Sequence, residues 1–443
     1  MVPDLTRRKL LAGSSAVVGT GLIGTGLLAP EWLPDRATDH LLDVYSDPPA
    51  RVWWPEIVDA HADDAVEHLE AAVERANDLK ERIDVDALPD DLAFELDRDP
   101  SGGRLESAKS EPDPWERLFS ATYGLQFAGE TIGYAKVALD EGDPEMLVER
   151  GARIRSEAET VRDSLRDYPV SEPRRDLDFL YAVERELGLA RLHSYSSGTY
   201  TGGVADADEY TDRTVASTWG AHLQAQQRLR NARYYRDLYR ERLSPDPRPY
   251  ADALDGAVAR LADAIEAFPT RPELRTEIGD DLDLTRETPY GAARWELWTL
   301  CYDNDFRAGY GPDGYQSGHT VQRVVELARA LLARRAHEFA LSELDVSPDD
   351  ADYDSGRAFR AKRRAVRTFR SVRDEFGSPF AGLVAQSAAD RIRAGDVGIG
   401  STGRRDDRPA WADRVEAATY YLVATGQLRD LGDVLGAIFG GSQ

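Results

Sequence analysis

Asp113-Pro114-Trp115-Glu116-Arg117-Leu118-Phe119-Ser120-Ala121-Thr122, running on to Leu139-Asp140-Glu141-Gly142-Asp143-Pro144-Glu145, decides the fold class. Asp113 stands where a helix N-cap belongs, Pro114 falls in the first turn, and Glu116 follows three residues after the cap, as in a capping box. Trp115, Leu118, Phe119, Thr122, Leu125, Gly129 and Ile132 then recur at helical spacing. Gly129 and Gly133 leave room for a neighbouring backbone to come close. Asp140-Glu141-Gly142-Asp143 closes the segment as a turn, and Asp143-Pro144-Glu145 opens the next helix in the same way.

The same grammar extends in both directions. Upstream, Val58, Ala62, Ala65, Val66, Leu69, Ala72, Val73, Ala76 and Leu79 form one apolar stripe. Downstream, Ser378-Pro379 is another start signal, and periodic segments predict helices over about 145–167, 173–196, 208–242, 250–267, 289–303, 319–344, 355–376, 380–394, 410–425 and 428–438. Clear period-two strand runs are missing. The expectation is an all-α protein of antiparallel helical hairpins, forming a multi-helix bundle or an irregular α-solenoid. Loops are expected at 97–113, 198–207, 304–318, 345–354 and 395–409. Residues 30–52 read as a linker, and a boundary near Ser244-Pro245-Asp246-Pro247 separates helical halves at 53–243 and 248–443.

Composition excludes several functions. Eighty acidic residues against 55 basic ones give a formal charge of −25 over 443 residues, which disfavours nonspecific nucleic-acid binding. A lone Cys301 rules out an internal disulfide scaffold and any multi-cysteine metal site. No intact cofactor or metal motif is present, so neither is expected. Only five of the basic residues are lysine (Lys9, Lys80, Lys109, Lys136, Lys362), and Met occurs twice. An acidic, lysine-poor chain of this kind resembles proteins of extremely halophilic archaea, although a GC-rich genome also favours Arg, Ala, Gly and Asp. Asn77, Asn231 and Asn304 all lack the hydroxyl residue of an N-glycosylation sequon.

Thr6-Arg7-Arg8-Lys9-Leu10-Leu11 precedes an uncharged run from Leu10 to Ala29, rich in glycine. Paired arginines followed by a modestly apolar segment resemble a twin-arginine (Tat) export signal, which implies the Tat translocase as a partner and an extracytoplasmic body. Residues 1–29 are then either a signal peptide, cleaved to give a secreted protein, or an N-terminal membrane anchor. Twenty apolar residues just suffice to span a bilayer. The lack of an A-x-A exit before Pro30 leaves both open.

The sharpest local feature is Arg357 to Arg373, with eight basic residues and no acidic one. At 100° per residue, Arg360, Arg363, Arg364, Arg367 and Arg370 fall within an arc of about 120°. Ala358, Ala361, Ala365, Phe369, Val372 and Phe376 lie opposite. Guanidinium groups bind carboxylate, phosphate and sulfate in planar, bidentate contacts, so this face suits an anionic ligand or extracytoplasmic partner. The competing reading pairs the arginines with the chain's own carboxylates. Arg228 to Arg242 carries six more arginines, with Asp237 and Glu241 as local partners for structural use.

Other candidates are weaker. Gly398-Ile399-Gly400-Ser401-Thr402-Gly403 spells G-x-G-x-x-G but follows a helix, so it reads as a loop; its amides with Arg404 and Arg405 form a second candidate anion site. His61, Asp64 and His68 flank an apolar stripe and read as boundary packing. Gly220-Ala221-His222-Leu223-Gln224-Ala225 is similar to the G-x-H-x-x-E motif of the exported, helical imelysin-like proteins, with Ala225 where the family has glutamate. That resemblance covers these six residues and implies an exported helical protein. Cys301 reads as an inert core thiol. Trp53, Trp54, Trp295, Trp298 and Tyr302 could line a carbohydrate groove, but a glycosidase needs two placed carboxylates, and 80 acids nominate no pair. The expectation is therefore a noncatalytic binding or scaffold protein using the Arg360–Arg370 face, with an extracytoplasmic hydrolase of polysaccharide or peptide as the alternative.

Overall fold

The computed structural model describes residues 35–45, 48, 51–53, 55–195, 207–281, 286–302, 317–399 and 408–440. The export-signal residues Arg7 and Arg8 lie outside them, as do Gly400, Gly403, Arg404 and Arg405. Helix α1 spans Asp35–Val44, α2 Asp59–Lys80, α3 Asp90–Asp97, α4 Arg104–Ser110, α5 Pro114–Ala138, α6 Pro144–Asp163, α7 Pro173–Leu192 and α8 Asp212–Arg242. The chain continues through α9 Ala251–Glu266, α10 Arg271–Asp281, α11 Pro289–Tyr302, α12 Thr320–Glu343, α13 Ser355–Phe376, α14 Pro379–Ile399, α15 Ala410–Arg429 and α16 Leu431–Phe439. Among the described residues there is no strand, and a single antiparallel bridge joins Val170 to Arg248. The protein is an all-α, multi-helix fold.

The start signals act as their chemistry requires. The Asp113 carboxylate accepts from the amides of Trp115 and Glu116 at 2.9 and 3.2 Å, and Asp143 accepts from Met146 at 2.9 Å. Ser378 Oγ accepts from the Ala381 amide at 3.3 Å.

The chain separates into two compact units. One comprises Pro55–Ala251 and Arg307–Gln322. Its centre is α5, packed against α2 on one side and α8 on the other. Glycine makes the second contact possible. A Cβ on Gly129 would fall 2.5 Å from Gly220 Cα, and one on Gly133 would fall 2.4 Å from Ala216 Cα. The expected stripe on α5 is too narrow: Ala121, Gly124, Ala128 and Ala135 are buried as well. Trp115 and Phe119 move out of the core, Phe119 being 43% exposed, and their rings stack at 5.5 Å.

The other unit comprises Met1–Trp54, Asp252–Phe306 and Arg323–Gln443. Its core is built from α13, α14 and α15, with α11 on α15 and α1 on α13. Gly426 lets α15 approach α12; a Cβ there would meet Ala336 Cα at 2.8 Å.

Several expectations change. Residues 30–52, read as linker, contain α1, which buries Thr38 and Leu42 and sets Tyr45 edge-on to Phe359 at 5.6 Å. The expected loop 97–113 carries α4, and α14 runs on to Ile399 through part of the expected loop 395–409. Helices α3, α4 and α10, of 8, 7 and 11 residues, offer too few apolar positions to show a period. Tertiary contacts, not local pattern, stabilise helices that short.

A buried acid ties the 317–322 segment to α7 in the first unit. Glu184, 3% exposed, accepts from the Tyr168 hydroxyl at 2.5 Å and from the Gln322 amide at 2.6 Å. Burial pushes its carboxyl up to about 7, against the opposing effect of these hydrogen bonds. A carboxyl whose pKa rises on folding binds its proton more tightly in the native state. Its contribution is therefore complete below about pH 4.5 and is lost as pH rises through about 7. Urea denaturation at pH 5 and pH 8 should show a Glu184→Gln protein gaining stability relative to wild type by up to about 3 kcal/mol at the higher pH. A constant difference between the two proteins across this range would contradict the assignment.

Candidate functional site: an arginine face beside an apolar pocket

Helix α13 begins where Asp354 accepts from the Arg357 amide at 3.0 Å. Ala358, Phe359, Ala361, Ala365, Val366, Phe369 and Val372 are buried on its inner side. Arg360, Arg367 and Arg370 are exposed, and Arg363 and Arg364 are half-buried. None of the five arginines of the expected face is buried, and Arg367, at the middle of the arc, faces solvent. The Phe376 side chain lies outside the described ones.

The row of charge is not uniform. Arg364 Nη1 donates to Glu343 at 2.5 Å, and its guanidinium lies 4.9 Å from the Phe339 ring centre. Arg357 pairs with Asp354 at 2.9 Å and Asp350 at 3.6 Å. Lys362 turns the other way. Its side chain is 1% exposed, and Nζ lies 2.8 Å from Asp396 and donates to the Leu42 carbonyl at 2.8 Å. Tyr421 donates to the same Asp396 oxygen at 2.5 Å. Counting basic residues along the chain hides this difference, although Lys362 sits about 200° from Arg360 on the wheel.

Where α13 ends, a pocket of about 320 Å³ opens. Trp53, Phe369, Val372 and Leu431 supply its large apolar surfaces, and Ala381, Gly382 and Ala385 of α14 form a wall of small residues. The Val52 amide donates to Gln386 Oε1 at 2.8 Å, which holds the 51–53 segment across α14. Arg373 and Ser378 also line the pocket. Arg373, with 55% of its side chain exposed, stands 3.8 Å from Asp374 and falls about 120° from Arg367 on the wheel, outside the arginine arc. Phe369 and Val372 belong at once to the pocket and to the buried face of α13, so pocket and arginine face share one helix.

The remaining candidates resolve into packing. On α8, Arg228 pairs with Glu186 at 3.1 Å, Arg233 with Glu157 at 2.7 Å, Arg236 with Asp237 at 2.7 Å, and Arg242 with Glu56. Most of these partners lie on other segments, where local i,i+4 partners were expected. Gly398 sits in the last turn of α14, not in a loop; its proposed companions Gly400, Gly403, Arg404 and Arg405 lie outside the described residues. His61 stacks on Tyr234 at 3.9 Å and bonds Asn231 at 3.1 Å; His68 bonds Gln227 at 2.9 Å. Both histidines are boundary packing, and Asp64 is exposed.

Gly220 of the imelysin-like segment serves the α5–α8 contact. His222, 1% exposed, lies 3.2 Å from the Ser194 carbonyl, and burial together with the Arg150 guanidinium pushes it down to about 3. Ala225 is buried with no exposed surface, so this stretch presents no carboxylate beside a histidine. Among the described residues no group of three or more His, Cys, Asp or Glu is arranged to hold a metal ion. Cys301 is buried and its thiol is pushed up to about 12, as an inert core thiol should be.

Trp298 and Tyr302 are 7% and 3% exposed, and Trp298 donates to the Arg271 carbonyl at 3.2 Å; they are core, not groove. Trp54 lies outside the described residues. Glu296, 8% exposed, is pushed up by burial and by Glu416, but arginines stand beside both: Arg286 lies 3.3 Å from Glu296, and Arg408 lies 2.9 Å from Glu416.

Residues 60–246 match the family model of a domain of unknown function, DUF8262, and residues 251–438 match that of another, DUF8264. Helix α13 and most of the pocket lie in the second match, while α1, Val52 and Trp53 precede both. No curated protein and no solved structure matches the chain.

The two kinds of basic residue on α13 should separate in a urea denaturation series. Lys362→Met strands Asp396 and should cost about 3 kcal/mol. Arg367→Gln should change stability by less than about 0.5 kcal/mol. Equal losses would show that the outer face is structural too.

Proposed function

We propose that this chain is a noncatalytic, extracytoplasmic binding protein whose α13 arginine face holds a polyanionic partner. One observation carries the reading: the helix with the densest positive charge points its arginines outward, in a chain of formal charge −25. Guanidinium groups make short, bidentate contacts with carboxylate, sulfate or phosphate. Such contacts persist where salt shortens the screening length to about 3 Å and removes long-range attraction. The acidic, lysine-poor composition fits such a medium.

Immobilised poly-L-glutamate is a sufficient probe. The wild-type protein should bind it, and joint replacement of Arg360, Arg363, Arg367 and Arg370 by glutamine should weaken binding at least about tenfold without shifting the thermal melt. Equal affinity of the two proteins would overturn the assignment.

Export by the twin-arginine route rests on Arg7, Arg8 and the uncharged run after them. A folded reporter fused behind residues 1–35 should leave the cytoplasm, and replacing Arg7 and Arg8 by lysine should retain it. Undiminished export of the lysine variant would refute the route.

A further inference from the structure

Helices α2, α6 and α8 of the first unit bring together cations that the chain's 80 acids do not neutralise. Arg75 of α2 and Arg150 of α6 set their guanidinium carbons 5.1 and 4.5 Å from the ring centre of Trp219 on α8. Arg153 lies one turn on from Arg150 along α6, and Arg230 one turn on from Gln226 along α8. Among the described residues, no carboxylate pairs with Arg75, Arg150, Arg153 or Arg230. The hydrogen-bond partner of Arg150 is neutral: Nη2 donates to Gln226 Oε1 at 2.9 Å. Carboxylates nearby are already taken, Glu157 by Arg233 at 2.7 Å and Glu141 by Lys136 at 3.6 Å.

Arg150 carries the strain of this arrangement. It is half-buried, and burial, then the charges of Arg75 and Arg153, push its guanidinium down to about 10. The charges of Arg230 and Arg150 also meet at His68 of α2, where they add to burial in pushing the imidazole down. Trp219 is 3% exposed, and its indole N–H has no acceptor among the described residues. Like charges gathered on a dry ring destabilise the protein in the absence of a ligand, and such clusters are characteristic of binding sites.

The geometry selects the class of ligand. These guanidinium groups converge from three helices instead of running along one, so they suit a compact anion. A phosphate or sulfate group carries up to two charges and accepts from several guanidinium groups at about 2.8 Å each. A lone carboxylate has one charge and two oxygens. Gln226 takes a single bond from a guanidinium with five N–H donors, which leaves Arg150 able to bind.

We propose that Arg75, Arg150, Arg153 and Arg230 form a site for a phosphate or sulfate group beside the Trp219 ring, independent of the α13 face. The bound oxyanion supplies the negative charge that no side chain provides there. The low polarity of the indole strengthens each contact.

Equilibrium dialysis of the full chain against radiolabelled inorganic phosphate in molar potassium chloride tests this. One phosphate should bind per chain, and Arg75→Gln and Arg150→Gln should each weaken binding at least about tenfold. In phosphate-free buffer, Arg75→Gln and Arg153→Gln, both at exposed positions, should melt at or above the wild-type temperature, because each removes a like charge. Unlabelled sulfate and glycerol phosphate, used as competitors, distinguish the sources of the group. Tighter competition by glycerol phosphate than by inorganic phosphate assigns it to an organic ester, and the reverse assigns it to the free ion; either supports the site.

Absent phosphate binding, binding that survives both Arg75→Gln and Arg150→Gln, or a lowered phosphate-free melt of the two exposed-site variants would overturn the inference. Phosphate binding lost in the joint Arg360, Arg363, Arg367 and Arg370 glutamine variant but kept in Arg150→Gln would overturn it as well, while leaving the α13 reading intact.

Discussion

Lys362 determines which way α13 faces. Its ammonium group is held between Asp396 of α14 and the carbonyl of Leu42 in α1, in a place with almost no solvent. A buried ammonium with one partner removed costs several kcal/mol, so the helix cannot roll about its axis without losing that pair. With Lys362 held inward, Arg360, Arg363, Arg364, Arg367 and Arg370 are carried outward. The apolar residues Phe359, Val366 and Phe369 settle on the same inner side. The segment before the helical core, easily taken for a tether, is part of this clamp. Asp35 and Asp39 of α1 pair with Arg414 of α15 at 2.7 and 3.2 Å, and Asp35 accepts from Ser355 at the start of α13.

The two arginine-rich helices show how little local composition says about use. On α8, arginines alternate with tyrosines, and neighbouring segments of the same unit bring Glu56, Glu157 and Glu186 to them. On α13 a neighbouring helix brings Glu343 to Arg364, while the middle of the face at Arg367 stays exposed. Which arginines on either helix meet a carboxylate depends on where distant segments come to rest. An acid-rich chain can supply partners anywhere, so their placement is a property of packing.

Capping and spacing made the helical class legible, because both are local. Asp113, Asp143 and Ser378 bond the amides two or three residues on whatever the rest of the chain does. The glycine pair on α5 was readable for a similar reason, since small residues one turn apart leave a groove. Its partner, Gly220 of α8, was not readable: in the sequence that glycine looked like the start of a motif. Helices α3, α4 and α10 were missed because they carry too few apolar positions to announce a period, and α1 because it is only ten residues long. The candidate site was half visible. Its arginine arc follows from helix geometry, whereas the pocket joins Trp53, Phe369, Ala385 and Leu431 from four separate stretches, which no spacing rule connects.

Local chemistry sufficed for three properties of this protein: its helical class, the amphipathic division of α13, and the charge balance that makes that helix an exception. Each depends on residues within a turn or two of one another, or on a simple count. Tertiary structure alone decided that Lys362 belongs to the core, that four of the six α8 arginines sit in ion pairs, that Gly220 and His222 are packing, and that an apolar pocket opens at the end of α13. Burial and ion pairing depend on which distant groups arrive within about 4 Å, and that follows from how whole helices pack together.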